Sequence, residues 1–182
     1  MCCDKRQIYS TSLVAKTEYT DWTVGANPID ATAMVSGDWI HDNAIQVSCA
    51  TLETAGHGEI YGIELMDATA QKKDLRVWIL NGNPSGSAVT KNNARSWTTA
   101  DSLLVAGYIS IVTADYTDMQ PTSPTDSLAI KNLDNSLGLG SQIIDFNTVA
   151  SSSTIYVAVE TRANVTWANT SAIRFRLKMR RK

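Results

Sequence analysis

The sequence predicts an all-β chain: an antiparallel, jelly-roll-like β-sandwich of about eight strands with an extended N-terminal arm. Three observations lead there. Apolar and polar residues alternate with period two along most of the chain, while helical stripes are scarce. The alternating runs are separated by clusters of Gly, Pro, Asn and Ser that make turns. One run, "LRVWIL" at 75–80, is apolar on nearly both faces, as a central, doubly covered strand should be.

Each element follows from this pattern. Residues 7–16 read as an arm or a first strand, within an N-terminal segment 1–35 that precedes a sandwich domain at 36–182. At 44–52, "AIQVSCATL" sets Ile45, Val47 and Cys49 on one face and Gln46 and Ser48 on the other. At 58–67, "GEIYGIELMD" groups Tyr61, Ile63 and Leu65. "DATAQKK" at 67–73 reads as a helical turn or two, or as a hydrated loop. After the central strand, "LNGNPSGS" at 80–87 is a loop. Residues 103–112 hold the strand "GYISIV". "MQPTSPTDS" at 119–127 carries two prolines, which forbid a central strand. "NSLGLGS" near Asn135 is another loop, and no helix-forming run follows its glycines as a nucleotide fingerprint requires. Residues 142–146 and 154–161 are strands, the latter aligning Ile155, Val157 and Val159. The final strand, "AIRFRLKMRRK" at 172–182, sets Ile173, Phe175, Leu177 and Met179 against Arg174, Arg176, Lys178 and Arg180. Long connections suit the crossings of a jelly roll. An immunoglobulin-like sandwich is the second option.

Composition narrows the function. The chain has 182 residues, is 43% hydrophobic and carries a net charge of -2, so it can bury a core without metals or disulfides. All 18 acidic residues lie at or before Glu160, and seven of the 16 basic residues lie beyond it. The first 160 residues are therefore strongly acidic and the end is basic. Such a body opposes a specific nucleic-acid role, which needs a broad positive field, and suits docking onto an acidic neighbour. Cys2, Cys3 and Cys49 form no zinc spacing and fit a reducing compartment at synthesis. "MCCDKRQIYS" lacks the apolar stretch of a signal peptide, and no run reaches membrane-spanning length. The triplets beginning at Asn164 and Asn169 accordingly read as chance matches to a glycosylation signal.

No catalytic constellation emerges, so the expectation is a protein that is not an enzyme, with no cofactor and no metal. His41, near Asp38 and Asp42, and His57, near Glu59, sit at strand entrances and read as turn or surface residues rather than ligands. Glu64, Asp67 and Asp145 supply carboxylates without a defining spacing. Contact residues are easier to nominate. The basic row Arg174, Arg176, Lys178, Arg180, Arg181 and Lys182 matches carboxylates; it also has the character of a protected sheet edge. Trp97 in "NNARSWTTAD" and Trp167 in "NVTWANTS" lie in polar loops, where aromatics anchor interfaces or stack on sugars, with Tyr108 as a third platform; the other reading of each tryptophan is a plug that caps the end of the sandwich. Trp78 reads as core.

Three segments together resemble a known group. They are "SGDWIHDNAIQV" at 36–47, "GHGEIYGIELMDATAQKKDLRVWILNGNPSG" at 56–86 and "STIYVAVETRANVTWANTSAIRFRLKMR" at 153–180. Their order is similar to that of small jelly-roll virion proteins of tailed bacteriophages, the auxiliary capsid, head-decoration and minor structural proteins. The resemblance implies a decoration or cement subunit on the capsid surface of a virion, synthesised in the host cytoplasm. Its partners would be the major capsid protein, other virion subunits and copies of itself, with a trimer as one option. No membrane is implied, and the group shares no catalytic motif to carry over. A carbohydrate- or receptor-binding sandwich on a head fibre or tail is the alternative.

Overall fold

The computed structural model of the chain describes residues 17–19, 32–48, 50–119, 126–133, 142–167 and 173–181. Among them run ten strands: β1 (Thr17–Tyr19), β2 (Ile45–Val47), β3 (His57–Asp67), β4 (Leu75–Leu80), β5 (Val105–Ile111), β6 (Tyr116–Asp118), β7 (Ser127–Asn132), β8 (Ile144–Asn147), β9 (Ile155–Thr161) and β10 (Ile173–Arg181). One helical turn, α1 (Thr99–Ser102), precedes β5, and a 3-10 turn at Thr113–Asp115 follows it.

The strands form two antiparallel sheets. The first has the order β1-β10-β3-β7-β6, with β8 also paired to β3; the second has the order β2-β9-β4-β5. The pairs are nested. β1 joins β10, β2 joins β9, β3 joins β7 and β8, and β4 joins β5, each pair enclosing the next along the chain. The outer pairs alternate between the sheets, as if one long hairpin had been rolled up. That is a jelly roll, with the β6–β7 hairpin added to the first sheet. An immunoglobulin order would set the first strand beside the second; here β1 and β2 lie in different sheets.

The alternation read from the sequence positions the core. Ile173, Phe175, Leu177 and Met179 of β10 are buried and face the second sheet's Val77, Ile79, Val157 and Val159. Burying each such side chain contributes roughly 1.5–3 kcal/mol. β4 is covered on both faces, as its sequence predicts. Val77 and Ile79 join the main core, while Trp78 and Leu80 join a second cluster with Trp39, Val89 and Ala158 on the sheet's outer side.

β3 departs from the simple reading. Lys178 of β10 opposes Gly62, but the next residue, Met179, opposes Ile60. Tyr61 is the extra residue of a β-bulge. The bulge resets the alternation, so Ile60, Ile63 and Leu65 are all buried while Tyr61 turns outward beneath Lys178. The expected grouping of Tyr61 with Ile63 and Leu65 is thereby corrected. Gly62 permits the close approach: a Cβ there would lie 3.2 Å from the Lys131 carbonyl oxygen and 3.3 Å from the Lys178 Cβ.

Residues 67–73 form a loop, not a helical turn. Ala70 and Lys72 have φ of 49° and 51°, in the left-handed region that no right-handed helix uses. The buried Asp67 carboxylate holds this loop, accepting from the Thr69 amide at 2.9 Å, the Thr69 hydroxyl at 2.7 Å and the Lys72 amide at 2.8 Å. Residues 7–16, the two loop prolines, the glycines at 138 and 140, and Cys2, Cys3 and Cys49 lie outside the described residues.

Candidate binding site

The basic row lies on an interior strand, not a protected sheet edge, because β10 sits between β1 and β3. Arg176 donates to Glu64 of β3 at 2.7 Å and Arg180 donates to Glu59 at 3.1 Å. Lys178 sits over the bulged Tyr61 ring, 5.3 Å from its centroid, with Arg180 at 5.7 Å. The register explains these contacts: Arg176 directly opposes Glu64, and Arg180 opposes Glu59. On the outer face of the first sheet, Arg176 and Arg180 are therefore matched by carboxylates of the adjacent strand. Each such surface pair contributes at most about 1 kcal/mol. Arg174 and Arg181 lie on the same strand, both partly buried; Lys182 lies outside the described residues. An acidic partner gains less from this row than its sequence suggests, because Arg176 and Arg180 already have carboxylates.

The outer face of the second sheet has a different balance. Glu160 of β9 is 1% exposed. Arg76 of β4 reaches it at 3.3 Å, Arg162 at 3.2 Å and Arg95, from the 81–98 loop, at 3.7 Å. Three guanidiniums around one carboxylate leave an excess of positive charge. Two of these arginines also lie on aromatic rings. The Arg76 Cζ is 4.6 Å from the Tyr108 centroid and 5.4 Å from that of Trp78; the Arg95 Cζ is 4.5 Å from Trp78 and 5.3 Å from Trp97. Tyr108, Arg76, Trp78, Arg95 and Trp97 thus form one cluster in which each guanidinium borders two rings that also touch each other. Trp97 packs edge-on against Trp78 at 5.0 Å and also meets Trp39 at 5.6 Å.

Buried polar groups hold the loops that complete this face. Asp101, at the third position of α1, accepts from the Thr98 hydroxyl at 2.7 Å and amide at 3.0 Å, closing a capping box. It also accepts from the Ser85 amide at 2.7 Å. The Ser85 and Thr98 hydrogen bonds pull the Asp101 carboxyl down to about 2. One side chain therefore pins both ends of the loop bearing Arg95 and Trp97. In its middle, the Lys91 amide donates to Asp42 at 2.9 Å.

His41 corrects the expectation of a surface histidine. It is 2% exposed, and both ring nitrogens face backbone. Nδ1–H donates to the Asn43 carbonyl at 2.8 Å, and Nε2 accepts the Val159 amide at 2.9 Å. Beside it, the Ile40 amide donates to the Val159 carbonyl at 3.0 Å. The imidazole thus stands where a strand carbonyl would, extending the edge of β9 and carrying Trp39 into the cluster. Burial lowers its pKa, which keeps it neutral.

The remaining nominated residues are dispersed. Trp167 is 0% exposed and belongs to the main core. Its polar sequence surroundings mislead because Met34 and Val165 bridge through paired backbone hydrogen bonds, folding this stretch over the core. Trp167 is thereby corrected from a loop contact to a packing residue. Trp97 is half-buried, not a free loop aromatic. Glu64, Asp67 and Asp145 do not assemble: the first pairs with Arg176, the second holds its loop and the third is exposed on β8. Among the described residues, no cluster of three His, Cys, Asp or Glu could hold a metal ion. Asp38 instead accepts from the Val35 amide at 2.8 Å.

Sequence reasoning missed Arg76, Arg95 and Glu160. Arg76 and Glu160 did leave a signal: each is a charge within a run otherwise buried on both faces, where a partner is needed. No protein-family model matches the chain, and no curated protein and no solved structure matches it.

Proposed function

We propose that the chain is a structural, non-enzymatic binding subunit of a bacteriophage virion: an auxiliary capsid protein that docks on the capsid lattice and stabilises it. The observation that carries this reading is the nested strand order, the jelly-roll architecture that the sequence resemblance required. Architecture alone hosts many functions, so this step is an analogy of fold. The surfaces add support. On β10, Arg176 and Arg180 are already paired with carboxylates of β3, and such charges favour alignment over raw affinity. The second sheet offers Arg95 and Trp97, residue types that dominate interface energetics. Particles assembled without this chain should release their contents at lower temperature or after milder osmotic shock than complete particles. Equal resistance would remove the cement role.

A second reading is carbohydrate or receptor binding on a head fibre or tail. It is favoured by one observation: Trp97 and Tyr108, nominated separately from sequence, both pack on Trp78, with Tyr108 at 5.1 Å. A glycan array probed with the full chain tests it, and an empty array would remove it.

A further inference from the structure

On the outer face of the second sheet, three arginines surround the single buried carboxylate of Glu160. Arg95 approaches Glu160 only to 3.7 Å, beyond hydrogen-bond length, and its side chain is 38% exposed. Arg162 is 43% exposed and shares the same carboxylate. Arg95 lies over the Trp78 ring, and its exposed guanidinium has five N–H donors to offer a ligand.

We infer that this face is a binding site for an acidic polysaccharide, a sugar chain bearing uronic-type carboxylates. The inference rests on the carbohydrate reading above and specifies its ligand. A sugar carboxylate matches the N–H edges of Arg95 and Arg162. The apolar face of a pyranose lies against Trp97 and Tyr108.

The test uses the full chain and calorimetry against polygalacturonate, polyglucuronate and polysialate, each beside its carboxyl-reduced form. At least one acidic polymer should bind, its reduced form should bind about tenfold more weakly, and Arg95→Gln should weaken the acidic polymer by a similar factor. Arg180→Gln, which removes the same charge from the opposite sheet, should leave binding unchanged. Both arginines are partly exposed, and matching melting temperatures would confirm that the variants fold. Equal binding of acidic and reduced forms would overturn the inference and leave the carbohydrate reading standing. No binding of either form would overturn the inference, and an empty glycan array would then remove the carbohydrate reading as well. Equal weakening by the two substitutions would overturn the assignment to this face.

Discussion

Acid should loosen the second sheet through His41. Its Nε2 accepts the Val159 amide at 2.9 Å in a site 2% exposed to solvent. A proton on Nε2 would set one N–H against another and bury a charge. The unfolded chain has no such obstacle and takes up its proton near the ordinary value of 6.5. Below that pH the unfolded state binds more protons than the folded one. This contribution is therefore complete above pH 6.5 and declines as the pH falls toward the lowered folded value. At its steepest, one such group changes stability by about 1.4 kcal/mol per pH unit. The Asn43 and Asp42 carbonyls and the Asp42 charge act in the opposite sense, but burial is the larger influence. Urea unfolding of the native chain and of His41→Gln, followed from about pH 7.5 to about pH 5, isolates the effect from carboxylates of ordinary pKa. The native chain should lose stability across this range, and the variant should show a flatter profile from a lower start. Parallel profiles would refute the argument, as would a native profile that does not fall.

Other substitutions probe the packing. Trp167→Ala should cost about 3–5 kcal/mol in urea unfolding, since the side chain is fully buried in the main core; a loop contact would cost a fraction of that. Gly58→Ala should destabilise by about 1–3 kcal/mol or more, because its Cβ would lie 2.6 Å from Phe146 Cζ and 2.8 Å from the Arg180 carbonyl oxygen. Gly86→Ala, with nothing within 4 Å, is the matched control and should be near neutral. Asp101 ionises with a pKa of about 2, so its hold on the 81–98 loop is complete above its ordinary value of 3.8 and is lost as the pH falls through about 2. Asp101→Asn should accelerate hydrogen exchange at the Ser85 and Thr98 amides at neutral pH, and unchanged exchange would show that the loop is held elsewhere.

The parts legible in the sequence are those governed by neighbours along the chain. Alternation gave β10 its buried face, and the unbroken apolar run of β4 announced its two-sided burial. The bulge at Tyr61 was hidden because an extra residue changes register only relative to the partner strand, 110 or more positions away. The choice between loop contact and packing plug for Trp167 is not legible for a similar reason: the stretch folds over the core through Met34, distant in sequence and joined to Val165. α1 was legible in principle, from Thr98 followed three residues later by Asp101, but four residues are too few for a periodic stripe. The arginine–aromatic cluster draws on β4, β5 and a loop, and no spacing within one segment encodes it.

The nesting of β10 against β3 also sets a schedule for folding. β3 is complete at Asp67, yet its neighbour begins only at Ile173. A ribosome adding about 5–20 residues per second takes roughly 5–20 s to cover that interval. Throughout it, one side of the longest strand lacks its mate and invites pairing with a nascent neighbour on the same message. Crowded translation should therefore favour tangled chains, and slower initiation, which spaces the ribosomes, should raise the yield of correctly rolled protein.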